Sequence, residues 1–123
     1  MLRVATLSIC LALGVSSASA QNQPAFSSDG RYNQAIEMAI AYSAVAQACS
    51  HREFRNLRTS LVELLEFQNG RRLLTNYGRR LYQNMEAYLD EGVAEYRRRP
   101  YVTCRQASEY YPQVISMIRT LIG

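Results

Sequence analysis

Residues 71–99, RRLLTNYGRRLYQNMEAYLDEGVAEYRRR, decide the fold class. The stretch opens after Gly70, a helix-stop signal, and closes at Pro100, which disfavours helix at the residue before it. Leu74, Tyr77, Leu81 and Tyr88 recur at spacings of three, four and seven. Gly78, Tyr82, Met85, Leu89, Val93 and Tyr96 form an adjoining stripe at spacings of three and four. Both fit 3.6 residues per turn, and neither fits the alternation of a strand. Two adjoining stripes make an apolar face too wide for one neighbour, so this helix is expected to pack against at least two others. Unbroken, it would run roughly 43 Å at ~1.5 Å per residue. Gly92, after Asp90 and Glu91, can end it or bend it.

The rest of the chain reads as helices arranged around this one. Asp29 or Ser28 can cap a first helix starting near Gly30 or Arg31, with Ile36, Ile40 and Ala44 on one face. Met38, Tyr42, Val45 and Cys49 fall on a neighbouring face. Ser50-His51-Arg52-Glu53 has the capping-box pattern and predicts the start of a second helix. Its core face is Phe54, Leu57, Leu61, Leu64, Leu65 and Gln68, and Asn69-Gly70 ends it. Thr103-Cys104-Arg105-Gln106 repeats the pattern before a last segment carrying Ala107, Tyr110, Val114, Ile118 and Leu121. Pro112 either kinks that segment or opens a separate short helix. The expected fold is an all-α, small four-helix bundle-like domain over 29–123, preceded by a flexible tail over 21–28.

The first twenty residues are excluded from the fold. One arginine, a largely apolar run from Val4 to Val15 and Ala18-Ser19-Ala20 form a signal-peptide pattern, with cleavage predicted after Ala20. The apolar run falls short of the ~20 residues a membrane helix needs, and no later stretch is a candidate span. Bulky Leu7 and Ile9 near Cys10 argue against a lipoprotein. The expected location is the periplasm or the exterior. Losing Cys10 leaves Cys49 and Cys104, and an even count in an exported protein reads as one disulfide, against two buried free thiols.

Little in the chain points to catalysis. His51 is the single histidine, so neither a histidine-based triad nor a metal site can be assembled, and no cofactor is expected. It is expected as an exposed residue in the first turn of the second helix. Glu86 with Asp90 and Glu91 with Glu95 are same-face neighbours on a helix, whereas acid–base work on a sugar needs carboxylates across a cleft. Glu95 can instead pair with Arg98 or Arg99.

Every basic side chain is arginine, which grips carboxylates and phosphates in fork geometry and stacks on rings. Arg97, Arg98 and Arg99 sit where positive charge complements a helix C-terminus. Arg52, Arg55 and Arg58 lie in the first turns of the second helix, where the dipole disfavours cations. With Arg71, Arg72, Arg79 and Arg80 they can face lipid headgroups, an acidic polymer or an acidic protein, against the plainer reading of a solvated polar face. The charge is too small for a committed nucleic-acid binder, and no nucleic-acid motif is present. Most tyrosines at helical spacing are expected in the core. Several exposed together would indicate a protein interface.

Two resemblances follow from these residues. Cys49, the helical run 54–66, Asn76-Tyr77-Gly78 with its arginines, and Cys104 followed by Ala107 resemble the uncharacterised secreted single-disulfide helical proteins of alphaproteobacteria. A cysteine closing the first helix, then Cys104 with Tyr110-Tyr111, is similar in layout to the periplasmic immunity proteins that block type VI secretion amidases. The second resemblance implies an inhibitor or immunity role against an envelope protein. The sequence therefore predicts a non-catalytic exported protein binding another envelope protein. Arg-mediated contact with an anionic envelope surface is the alternative. A small helical enzyme of the secreted chorismate-mutase type comes third, and the lysine that type uses is absent here.

Overall fold

A computed structural model describes residues 24–123. Residues 1–23, with the predicted signal peptide and the start of the predicted tail, lie outside the described residues. The fold is all-α: a 3-10 turn, Gly30–Tyr32, leads into α1 (Asn33–Ala48). Then come α2 (Phe54–Gly70), α3 (Asn76–Gln83), α4 (Met85–Arg98) and α5 (Cys104–Ile122).

The centre of the molecule is α1, not the stretch 71–99. It packs against α2, α4 and α5, and every residue over 39–46 is buried. The cause is compositional. Between Glu37 and Arg52 the chain has no residue charged in its ordinary state, and a helix apolar on all sides must be covered on all sides. Its alanines let the neighbouring helices approach closely. Leu57, Leu61, Leu64 and Leu65 of α2 close one side with no exposed surface, each stabilising by roughly 2 kcal/mol relative to exposure.

The predicted long helix is two helices. Asn84 leaves the helical region at φ −126°, ψ 38°, and its side-chain amide donates to the Arg80 carbonyl. That side chain competes with the backbone ladder, which is why Asn tends to interrupt helices. Gly92 lies buried inside α4 and ends nothing. Residues 71–75 are not helical either. Arg72 takes the left-handed conformation (φ 58°), and the Arg72 and Leu73 amides return to the Asn69 and Gln68 carbonyls, closing α2 in a Schellman turn. Thr75 then caps α3, its hydroxyl accepting from the Gly78 amide.

The same device overturns the first predicted capping box. Ser50 is left-handed at φ 58°, and the Ser50 and His51 amides donate to Gln47 and Ala46, so both residues terminate α1. Ser50 is therefore unavailable to cap α2, which starts without a side-chain cap. The second box is formed as predicted, Thr103 and Gln106 bonding reciprocally at the start of α5. Pro112 neither divides nor stops α5, which is continuous through it.

Cys49 and Cys104 form the disulfide, with Cα atoms 5.7 Å apart, fastening the end of α1 to the start of α5. At the opposite end of α1, residues 25–28 are a strap rather than a loose tail. Phe26 and Ser27 are buried, and Ser27 forms an antiparallel bridge with Leu74. Asn33 Oδ1 accepts from both the Phe26 and Ser27 amides. The Ser27 hydroxyl donates to buried Gln68 at 2.6 Å, which explains a glutamine on the core face of α2.

Candidate arginine face

The structure divides the arginines singled out from sequence into three groups. Arg52 and Arg55 flank the α1–α2 corner beside His51, both exposed. Arg58, one turn further along α2, is taken by an ion pair with Glu86 at the start of α4. Arg72 lies beyond the other end of α2, about 25 Å from Arg52 and Arg55 at ~1.5 Å per residue, and Arg79 and Arg80 lie on α3, which leads from that end back to the groove beside Arg58. The six residues therefore cannot grip one compact anion together.

The far group is the more distinctive. From Phe67 to Met85 the chain carries Arg71, Arg72, Arg79 and Arg80 and no acidic residue. All four are exposed, and among the described residues none forms an ion pair with a carboxylate. Those ion pairs use Arg31, Arg58, Arg98 and Arg99 instead. Local contacts position three of the four. Arg71 lies over the Phe67 ring at 4.5 Å, and Arg80 over the Tyr77 ring at 5.7 Å. Arg79 donates to the Leu74 carbonyl at 3.0 Å and to the Asn76 side chain, folding back toward the turn that holds Arg71 and Arg72. Stacked or hydrogen-bonded in this way, a guanidinium keeps its charge and spare N–H donors while losing less freedom on meeting an anion.

Four other arginines are paired locally, whereas Arg52, Arg55, Arg97, Arg105 and Arg119 also form no ion pair among the described residues. Arg31, near the strap, is held by Asp29, whose carboxyl the guanidinium keeps below its ordinary range. The exposed side of α2 mixes Arg55 with Glu63 and Glu66. Glu95 is buried and paired with Arg98 and, at 3.8 Å, with Arg99. Glu86 and Glu95 therefore belong to ion pairs, and Glu91 lines an open groove with Tyr77 and Tyr88.

His51 is half-buried rather than exposed, with Nδ1 2.8 Å from the Tyr111 hydroxyl. Burial, with Glu53 nearby, pushes the Tyr111 phenol above its ordinary range, so the hydroxyl serves as a neutral hydrogen-bond partner. The pair joins the α1–α2 corner to α5. Tyr111 and Tyr96 are core residues, and the Tyr96 hydroxyl donates to the Val102 carbonyl beside the disulfide. Tyr110, at 40%, is the one exposed large hydrophobic residue among those described, close to Tyr42.

Grooves among the described residues are open to solvent. One of about 380 Å³ lies at the α3–α4 break by Arg58, and another of about 370 Å³ runs between Glu53 and Arg119. Neither is lined by the far arginines. No group of three or more metal-ligating side chains occurs among the described residues, and no described helix is long and apolar enough to cross a membrane. The signal missed in the sequence was the run free of acidic residues from Phe67 to Met85, which separates Arg72, Arg79 and Arg80 from Arg58. No family model, curated protein or solved structure matches the chain.

Proposed function

We propose that this chain is an exported, non-catalytic binding protein that takes an anionic envelope partner on the face formed by Arg71, Arg72, Arg79 and Arg80. The observation that carries this reading is the run from Phe67 to Met85, which holds four exposed arginines and no acidic residue, with no ion pair to any of the four among the described residues and three of them held in place by rings or backbone. A stability role alone would favour acidic residues interleaved among them, as on α2. The disulfide supports export, since such bonds persist in oxidising compartments. Acidic proteins, acidic polymers and anionic lipids share the chemistry this face would recognise.

A second reading is favoured by Tyr110. Exposed beside Tyr42 on α5, the helix whose first residue is disulfide-linked Cys104, it is the natural anchor for a packed protein interface of the inhibitor or immunity kind. One experiment distinguishes the two. Oxidised protein is immobilised and exposed to envelope extract, then washed at low and at high salt. Retained material that leaves with salt supports the arginine face. A stoichiometric protein that survives high salt and is lost on Tyr110→Ala would transfer the function to the tyrosine corner.

A further inference from the structure

Resting on the arginine-face reading, we propose that the anionic partner is the headgroup surface of a lipid bilayer, met by the α2–α3 turn and α3 with the strap end of the domain toward the membrane. Three observations converge on a surface rather than a compact ligand. First, the arginines are spread over a turn and a helix and line neither of the two grooves described above, so they suit a layer of charges better than one phosphate. Four clustered basic residues are enough for polybasic contact with an anionic leaflet.

Second, the cations come with aromatic bodies. Tyr77, beneath Arg80, is half-buried on α3 and packs on Phe26, and Phe67 lies beneath Arg71. Aromatic rings beside guanidiniums match the polarity gradient at the headgroup level, where amphipathic side chains concentrate.

Third, the chain enters the domain at this face. The Thr75 amide donates to Phe26 and the Ser28 amide to Leu73, so the strap runs along the turn that carries the arginines. A chain still carrying the predicted signal peptide over 1–20 would hold this face near the membrane it crosses, since only residues 21–24 separate that peptide from the strap.

The test is co-sedimentation of the oxidised chain beginning at Gln21, which contains the whole described domain. Phosphatidylglycerol–phosphatidylcholine vesicles are compared with pure phosphatidylcholine, and soluble polyphosphate serves as the second ligand. Wild type is compared with Arg72→Gln/Arg79→Gln/Arg80→Gln and with Arg52→Gln/Arg55→Gln/Arg105→Gln, an equal charge change at the other end. Circular dichroism confirms that both variants are folded. Expected are binding to anionic vesicles only, release at about 0.5 M salt, and a loss of about a hundredfold in the first variant, at roughly fivefold per arginine. The second variant should lose clearly less. Binding to polyphosphate without vesicle binding would overturn the lipid assignment while leaving the arginine-face reading intact. Binding to neither would overturn both, and equal binding to neutral vesicles would overturn the electrostatic basis.

Discussion

Gly78 tests how the strap is held, because the strap backbone lies directly against it. A Cβ placed there would overlap the Phe26 carbonyl oxygen, 3.0 Å from the Phe26 carbonyl carbon and 3.1 Å from Leu74 Cδ2. The obstacle is mostly backbone, so Gly78→Ala can be accommodated only if the strap lifts. Lifting exposes Phe26, now 2% exposed, at roughly 1.5–3 kcal/mol. It also breaks the Thr75–Phe26 and Ser28–Leu73 hydrogen bonds, each about 0.5–1.5 kcal/mol net. Replacing a helical glycine with alanine returns about 1 kcal/mol. The net expectation is a loss of about 3 kcal/mol in urea denaturation followed by circular dichroism. A cycle with Phe26→Ala assigns the loss to the strap. Once Phe26 is removed, Gly78→Ala should cost much less, giving a coupling of about 1–2 kcal/mol. A neutral or stabilising Gly78→Ala, or strict additivity with Phe26→Ala, would refute the reasoning.

Three further perturbations probe other parts of the fold. Cys49→Ser opens a crosslink across 55 residues, worth about 4 kcal/mol on the loop-entropy model, and should lower the melting temperature by about 15 °C or more; an unchanged melt would contradict the role given to the bond. Glu37, half-buried on α1, has its carboxyl raised by burial from 4.5 to about 7. The folded state therefore holds this proton more tightly than the unfolded state, and its stabilising contribution, full below 4.5, is lost as pH rises through about 7. That gap corresponds to roughly 3 kcal/mol, which solvent screening at a half-exposed side chain reduces to about 1–2 kcal/mol. Glu37→Gln should thus be the more stable protein at about pH 8 and equal to wild type at about pH 4, measured by urea denaturation at each pH. Ser50→Gly relieves a left-handed non-glycine residue and should stabilise by about 0.5–1 kcal/mol in the same assay.

Helix content was legible because periodicity reports burial directly. The α2 face Leu57, Leu61, Leu64, Leu65 and Gln68 is buried as its spacing implies, and the Thr103–Gln106 box is formed. The boundaries between helices were harder to read, for a physical reason. Ser50 and Arg72 adopt left-handed conformations that sequence rules reserve for glycine, so Ser50 reads as the start of α2 although it ends α1. Asn84 breaks a continuous apolar pattern through one side-chain hydrogen bond, which periodicity does not register. The central place of α1 is hard to read from sequence because α1 lacks a polar face. Two apolar stripes on residues 71–99 are conspicuous, whereas an uncharged helix surrounded by its neighbours shows little amphipathic pattern. For the candidate site, residue type was legible and grouping was not. Arg58 and Arg72 look alike in sequence, and only the fold brings Glu86 to one of them.

The most direct test of the central claim is equilibrium binding of a fluorescent acidic polymer across a salt series to wild type and to the two charge-matched variants. If Arg72, Arg79 and Arg80 form the working face, the variant lacking them loses most affinity and its dependence on salt flattens by about two to three in logarithmic slope. The Arg52, Arg55 and Arg105 variant should retain most of both. Equal losses in the two variants would mean that diffuse net charge, not a built face, does the binding, and the account would be wrong.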